Sequence, residues 1–201
     1  EQFGRSQEAT QSEATPFAPV SPYGCAKVLA HQSAQMYRRS YHLHISCGIA
    51  FNHESPRRGE EFVTRKITLW LARLKSDPQD TLYLGNLEAE RDWMHAKDTV
   101  VGMWRILQQE FPEDFVLASG TSHAVSYFLR LACLEAGVAT DRVKTNPDLY
   151  RPVDIPRLGG NPLKAWQRLG WKQTISLEEM VKEMVEADAA ALHRDSYKIT
   201  R

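Results

Sequence analysis

The apolar residues of this chain switch repeatedly between two spacings, and that alternation constrains its fold more than any other feature. A helical pattern opens at Ser21-Pro22, where Ser21 suits the N-cap and Pro22 the first helical position, and runs to about Tyr41. "LHISCGIA", ending at Ala50, is rich in β formers and reads as a buried strand. A second helix is expected from about Val63 to Lys75, with Ile67, Trp70, Leu71 and Leu74 on one face. "DTLYLGN" reads as a short strand and turn. A third helix is expected from about Ala96 to Gln109, with Val100, Met103, Trp104 and Leu107 as its apolar stripe. "DFVLASG" reads as a strand, and Ala124 to Glu135 as a further helix. Ser176, with Glu179 three residues on, forms a capping box for a last helix to about His193, after which the chain frays. Helices that alternate with short strands favour an α/β fold. Residues 5–20, 51–62 and 137–162 are rich in turn residues and read as loops.

With 201 residues the chain is one domain or slightly more. Lys plus Arg equals Asp plus Glu, so charge gives no reason to expect nucleic acid or an acidic membrane as a partner. No apolar run approaches the roughly 20 residues of a membrane span. Cys25, Cys47 and Cys133 are too few, and odd in number, for a disulfide framework. They suit a reducing cytoplasm, and burial is the expected state of all three.

No Gly-x-Gly-x-x-Gly and no Gly-x-x-x-x-Gly-Lys-Ser/Thr occurs, so neither common phosphate-cradling loop is encoded here. "HESPR" lacks the second His of a zinc-protease helix. His42 and His44 alternate on an expected strand end without a third ligand, so no metal site is expected. Tyr23 and Lys27 lie one turn apart at the start of the first helix. That spacing suits a half-buried ring beside a solvated ammonium, or a Tyr-x-x-x-Lys acid–base pair beside a cleft, and spacing alone does not choose between them. Arg57, Arg58, Arg65 and Lys66 fall within ten residues, next to Asn52. Arg91 and Asp92 precede a helix, where Asp92 suits a cap, and Arg151 and Asp154 flank Pro152. Guanidinium forks on loops fit phosphate oxygens, and a carboxylate fits ribose hydroxyls.

"SPYGCAK" resembles the Tyr-x-x-x-Lys signature of extended short-chain dehydrogenases, the sugar-nucleotide epimerases and dehydratases. "FNHESPRRGEEFVTRKIT", "LYLGN", "RDWMHAKD" and "QQEFPEDFVLASG" resemble the GDP-mannose 4,6-dehydratase family, and the likeness resumes from "DLYRPVD" to "LGWKQTISLEEMVKEMV". The stretch from Gly137 to Pro147 is shorter than in that family and is closer to the related GDP-4-keto-6-deoxymannose reductases.

The resemblance implies the C-terminal part of a Rossmann-type doubly wound parallel sheet, plus a smaller α/β substrate-binding domain. Residues 1–50 would belong to the dinucleotide-binding domain. Residues 51–201 would mainly bind the nucleotide sugar, with some segments returning to the Rossmann sheet. The abrupt start at "EQFGR" is expected to mark a fragment, inactive alone, whose Gly-rich half precedes Glu1. The implied reaction turns GDP-mannose into GDP-4-keto-6-deoxymannose by C4 oxidation, loss of water across C5 and C6, and hydride return. NADP is the implied cofactor, with NAD as the alternative. Tyr23 and Lys27 match the catalytic pair, and Glu1 matches the base at C5. Tyr23, Lys27, His53, Arg57 and Arg58 match cofactor contacts, the two arginines on a loop that reaches a neighbouring subunit. Asn52, Lys66, Arg91, Arg151 and Asp154 match nucleotide-sugar contacts, and Lys66, Arg91 and Arg151 are expected to converge on the diphosphate. A homodimer or tetramer is implied for the intact enzyme. A related reductase or epimerase would use Tyr23 and Lys27 without Glu1, and a remnant that only binds or assembles is the non-catalytic alternative.

Overall fold

The structure is a computed structural model that describes residues 1–150 and 153–199. It is α/β, with parallel strand pairs, and divides into two compact units. The first comprises Glu1–His53, Glu90–Ser122 and Val153–Thr174; the second comprises Glu54–Ala89, His123–Pro152 and Ile175–Arg201.

In the first unit, α1 (Pro22–Tyr41) starts where the sequence places it. Ser21 Oγ accepts the Gly24 N–H at 3.0 Å, and Pro22 occupies the first turn. The helix ends at His42, which adopts the left-handed conformation (φ 53°). His42 is therefore a cap rather than a strand residue. β1 (Gly48–Ala50) pairs in parallel with a later strand, Phe115–Leu117, in the register Gly48↔Phe115, Ile49↔Val116 and Ala50↔Leu117.

β2 (Asn52–Glu54) follows at once, where a loop is expected. In the second unit come α2 (Val63–Arg73) and β3 (Leu82–Leu84). The first unit resumes with β4 (Glu90–His95) and α3 (Ala96–Leu107), then β5, the strand paired with β1. β6 (Ser122–Ala124) leads into α4 (Val125–Ala136), followed by β7 (Val143–Thr145) and β8 (Arg157–Leu158). Last come α5 (Leu163–Leu169) and α6 (Leu177–Ile199), which continues past the expected end near His193.

Period-two alternation in β5 builds a core on each face of its sheet. Phe115 and Leu117 join Met94, Ile106, Ala165, Leu169 and Trp171, while Val116 and Ala118 join Phe3 and Ile49. Both faces of β5 are thus covered, as a doubly wound sheet requires. The N-terminal segment is part of this packing. Gln11, 2% exposed, bridges to Gly160, and its side-chain oxygen accepts the Gly159 N–H.

α3 does not bury the stripe expected of it. Val100, Met103, Trp104 and Leu107 are exposed, and Thr99, Gly102 and Ile106 face inward. The reason is a close approach at Gly102. A Cβ there would stand 2.8 Å from Leu117 Cδ2 and 3.1 Å from Trp171 Cε2. The backbone itself packs on the sheet, which an apolar-period reading cannot register.

In the second unit α2, α4 and α6 pack together, and β3 pairs in parallel with β7. Ile67, Trp70 and Leu71 of α2, Phe128 and Ala132 of α4, and Met180 and Met184 of α6 are buried. The capping box at Ser176 forms: Ser176 Oγ accepts from Glu179 N–H at 3.1 Å, and the Glu179 carboxylate accepts from Ser176 N–H at 2.8 Å. Among the described residues no helix is long and apolar enough to cross a membrane.

Candidate functional site

The first turn of α1 gathers three of the expected residues. Lys27 Nζ lies 5.3 Å from the centroid of the Tyr23 ring, within cation–π range. Tyr23 is 60% exposed. The pair stands in solvent on this chain, not beside a cleft as expected, because α1 turns Gly24 and His31 inward and Tyr23 and Lys27 outward.

Gly24 connects Tyr23 to Glu1. A Cβ on Gly24 would meet the Glu1 carbonyl oxygen at 3.0 Å and Pro19 Cβ at 3.1 Å. The Glu1 backbone therefore passes close to Gly24, the residue after Tyr23, an approach that only a glycine permits without displacement. The Glu1 carbonyl also accepts the Gly4 N–H at 3.1 Å.

Arg91 projects from β4. Its Nη1 donates to the Glu90 and Ile155 carbonyls at 2.8 and 2.9 Å, and its Nη2 donates to Asp154 Oδ1 at 3.1 Å. Arg91 and Asp154, expected as separate ligand contacts, form one ion pair with little exposure of the arginine. On β2, His53 Nδ1 donates to the Phe51 carbonyl at 2.9 Å, which orients the ring, and Asn52 is half-buried beside it.

Asp92 is not a helix cap. It is buried within β4 and accepts from the backbone N–H groups of Ser119, Gly120 and Gly160 at 2.8, 3.0 and 3.3 Å. Burial raises its pKa, and these donors oppose the rise. The cap of α3 is His95, whose Nδ1 accepts the Lys97 N–H.

The second unit carries the remaining basic residues. Arg57 and Lys66 are exposed. Arg58 is committed: its guanidinium carbon lies 3.5 Å from the Phe62 ring centroid, and its Nε is 3.2 Å from the buried Glu54 carboxylate. Sequence reasoning grouped Arg65 with the arginines suited to phosphate oxygens, yet Arg65 holds this loop. Its Nη1 donates to the Pro56 and Arg58 carbonyls at 2.6 and 2.7 Å, and its other nitrogens grip Asp188 at 3.1 and 2.8 Å. Thr68 Oγ1 donates to the same carboxylate at 2.6 Å. The threefold spacing of Arg65 and Thr68 on α2 is the only sequence signal of this clamp, because Asp188 is 120 or more residues away. Arg151 lies outside the described residues. Lys66 belongs to the second unit and Arg91 to the first.

Of the cysteines, only Cys133 is buried, and burial pushes its thiol up to about 11. Cys25 is exposed and Cys47 half-buried, against the expectation for all three.

A family model described as GDP-mannose 4,6 dehydratase matches residues 1–184. GDP-mannose 4,6 dehydratase 2 of Caenorhabditis elegans is 46% identical over 97% of this chain and 56% of its own length. The Vibrio cholerae GDP-mannose 4,6-dehydratase is 41% identical, over 96% of this chain and 60% of its own length. For the human GDP-mannose 4,6 dehydratase the figures are 43%, 94% and 55%. The chain thus spans little more than half the length of these curated relatives. Among solved structures, the RMD protein of Pseudomonas aeruginosa complexed with NADPH superposes with a TM-score of 0.85 at 20% identity, covering 94% of this chain and 63% of that one. The dTDP-glucose 4,6-dehydratase of Bacillus anthracis in complex with NAD gives 0.81 at 19%, covering 92% and 58%. These two likenesses establish the shared Rossmann-type fold. The extent of the family match, together with relatives above 40% identity along nearly the whole chain, establishes that this chain belongs to the GDP-mannose 4,6-dehydratase family.

Proposed function

We propose that this chain supplies the acid–base and nucleotide-sugar-binding part of an enzyme that converts GDP-mannose to GDP-4-keto-6-deoxymannose. The observation that carries the reading is the close approach of the Glu1 backbone to Gly24, the residue after Tyr23, with Lys27 one turn further on. A phenol beside an ammonium, together with a carboxylic acid residue close by in the backbone, suits a reaction that removes two different protons. A reductase or epimerase needs only the Tyr23–Lys27 pair, so a carboxylate-bearing residue whose backbone passes this close to the pair favours dehydration.

The donor set fits the ribose end of a nicotinamide cofactor, to which a phenol and an ammonium one turn apart both donate. NADP is the proposed cofactor, with NAD as the alternative; the Pseudomonas and Bacillus neighbours are complexed with NADPH and NAD respectively. When bound, such a cofactor supplies the hydride acceptor for C4 and returns that hydride to C6. Tyr23 takes the proton of the C4 hydroxyl, and the Lys27 charge favours the phenolate that does so. The C4 ketone then acidifies C5: the Glu1 carboxylate would take that proton and pass it to the departing C6 hydroxyl, which leaves as water, and the proton held by Tyr23 would be made up at C5, through solvent, when hydride returns to C6.

Residues 1–50 belong, on this reading, to the dinucleotide-binding domain, and most of 51–201 to the sugar-nucleotide domain. Asn52, Lys66, Arg91, Arg151 and Asp154 hold the nucleotide sugar. His53, Arg57 and Arg58 serve the cofactor, the two arginines across a homodimer or tetramer contact. Arg57 is the freer of the two, since Arg58 is engaged by Glu54 and Phe62.

The test joins this chain to the segment of a curated relative that lies outside the match and assays water loss from GDP-mannose. Tyr23→Phe is expected to lower turnover at least ~100-fold, the scale of a positioned acid–base group. Glu1→Gln is expected to stop water loss while leaving C4 oxidation measurable. Near-normal turnover by either variant contradicts the assigned roles.

A further inference from the structure

A second constellation in the first unit takes no part in this chemistry. His31, Gln35 and Arg38 are spaced i, i+4 and i+7 on α1 and therefore share one face. Cys47 and Asp114 each stand one residue before a strand, and the β1–β5 register, which pairs Gly48 with Phe115, brings them side by side. The Phe115 N–H donates to the Cys47 carbonyl at 2.9 Å, and the Cys47 N–H donates to Asp114 Oδ1 at 3.2 Å. The helix face meets the strand ends here. The His31, Cys47 and Asp114 donor atoms all lie within 4.8 Å of one another.

We propose that His31 Nε2, Cys47 Sγ and a carboxylate oxygen of Asp114 bind a divalent cation of the zinc class, with water as the fourth ligand. Imidazole, thiolate and carboxylate are the three side-chain types that zinc accepts, and three protein ligands plus water is a familiar zinc arrangement. Distances fit as well. Tetrahedral zinc with ordinary bond lengths places nitrogen and oxygen ligands about 3.3 Å apart; His31 Nε2 and Asp114 Oδ2 are 3.2 Å apart. Thiolate and imidazole ligands of one zinc stand about 3.6 Å apart, and the three donor atoms here already lie within 4.8 Å of one another.

Three further features support the site. Two donors are fixed by strand register and the third by a helix, so the ligands are held before any ion arrives. His31 and Asp114 have side chains only 7% and 10% exposed, while the half-buried Cys47 leaves a way in. Gln35 donates to Asp114 Oδ2 at 2.7 Å, and Arg38 donates to its Oδ1 and Oδ2 at 2.8 and 3.1 Å, the outer contacts that orient a ligating carboxylate. Magnesium and calcium prefer six or more oxygen ligands and are excluded by this donor set.

The experiment uses the reduced chain, titrated with zinc chloride by calorimetry and with cobalt(II) followed by absorption. One ion per chain is expected, with a thiolate-to-cobalt charge-transfer band and the visible bands of tetrahedral cobalt. Cys47→Ser is expected to remove the charge-transfer band while circular dichroism stays unchanged. His31→Gln is expected to weaken binding at least about tenfold, no less than the loss of an outer-shell partner. Cys25→Ser and Cys133→Ser are expected to bind as the parent does. Absence of binding, a band that survives in Cys47→Ser, or one lost in Cys25→Ser overturns the proposal. No readout here depends on turnover, so its failure leaves the dehydratase reading untouched.

Discussion

Removing the Arg65 guanidinium tests how the second unit holds its basic loop. Arg65→Ala deletes two bonds to Asp188 and two to the Pro56 and Arg58 carbonyls. Asp188 is 2% exposed and keeps only Thr68 among these partners, so its charge is left buried without its cation. Breaking one side of a buried ion pair costs about 3–5 kcal/mol. For a unit of this size each kcal/mol lowers the melting midpoint by roughly 2–8 °C, so a fall of at least about 6 °C is expected. Arg65→Lys keeps the charge but not the fork, and should fall between the two. Arg65→Met combined with Asp188→Leu removes both charges and should recover much of the loss. Calorimetry of the chain, followed as two transitions if the units melt separately, gives the midpoints. Hydrogen exchange of the amides from Arg57 to Phe62 should quicken in Arg65→Ala. A loss below 1 kcal/mol, or unchanged exchange in that loop, refutes the clamp.

Three further outcomes follow from the packing and the charges. Gly102→Val forces side-chain atoms against Leu117 and Trp171 and should destabilise the first unit by about 1–3 kcal/mol, read as a lower denaturation midpoint. His31 is raised to about 9, first by its hydrogen bond to Asp114 and then by Cys47, so in chelator-treated buffer its stabilisation is complete below pH 6.5 and lost as pH rises through 9. For Asp114, burial pushes the pKa up, but bonds from His31, Arg38 and Gln35 outweigh it and hold the carboxyl below its usual range. Its contribution is therefore lost only in strong acid. Stability, followed by melting midpoints across pH, should decline above neutrality by an amount on the order of 1–3 kcal/mol, and His31→Gln should flatten that decline. Last, fluorescence titration of this 201-residue chain with NADPH should show no micromolar binding, because its sequence has no Gly-rich turn to hold a pyrophosphate.

Local chemistry was legible and long-range chemistry was not. The Ser21-Pro22 start and the Ser176–Glu179 box specify their helix ends through contacts three residues apart, and both form as expected. "RDWMH" reads as the approach to a helix but forms β4, because Asp92 is stabilised by N–H groups of Ser119, Gly120 and Gly160 that no local window contains. The α3 stripe failed for a related reason: spacing identifies an apolar face but not whether a glycine face packs more closely. The Tyr23–Lys27 pair was legible as spacing. Its link to Glu1 was not, since it depends on a missing Cβ at Gly24. The His31–Cys47–Asp114 cluster needed the β1–β5 register, which the two strand sequences do not state by themselves.

The central claim is that Tyr23 and Glu1 act in turn on one sugar, with the hydride taken from C4 delivered to C6. GDP-mannose carrying deuterium at C4 tests it directly, using the chain joined to the uncovered segment of a relative. The account predicts loss of water and a product with the deuterium at C6, both slowed at least ~100-fold by Tyr23→Phe, while Glu1→Gln stops at the C4-oxidised sugar. Deuterium that stays at C4, or water loss undiminished in Glu1→Gln, contradicts it.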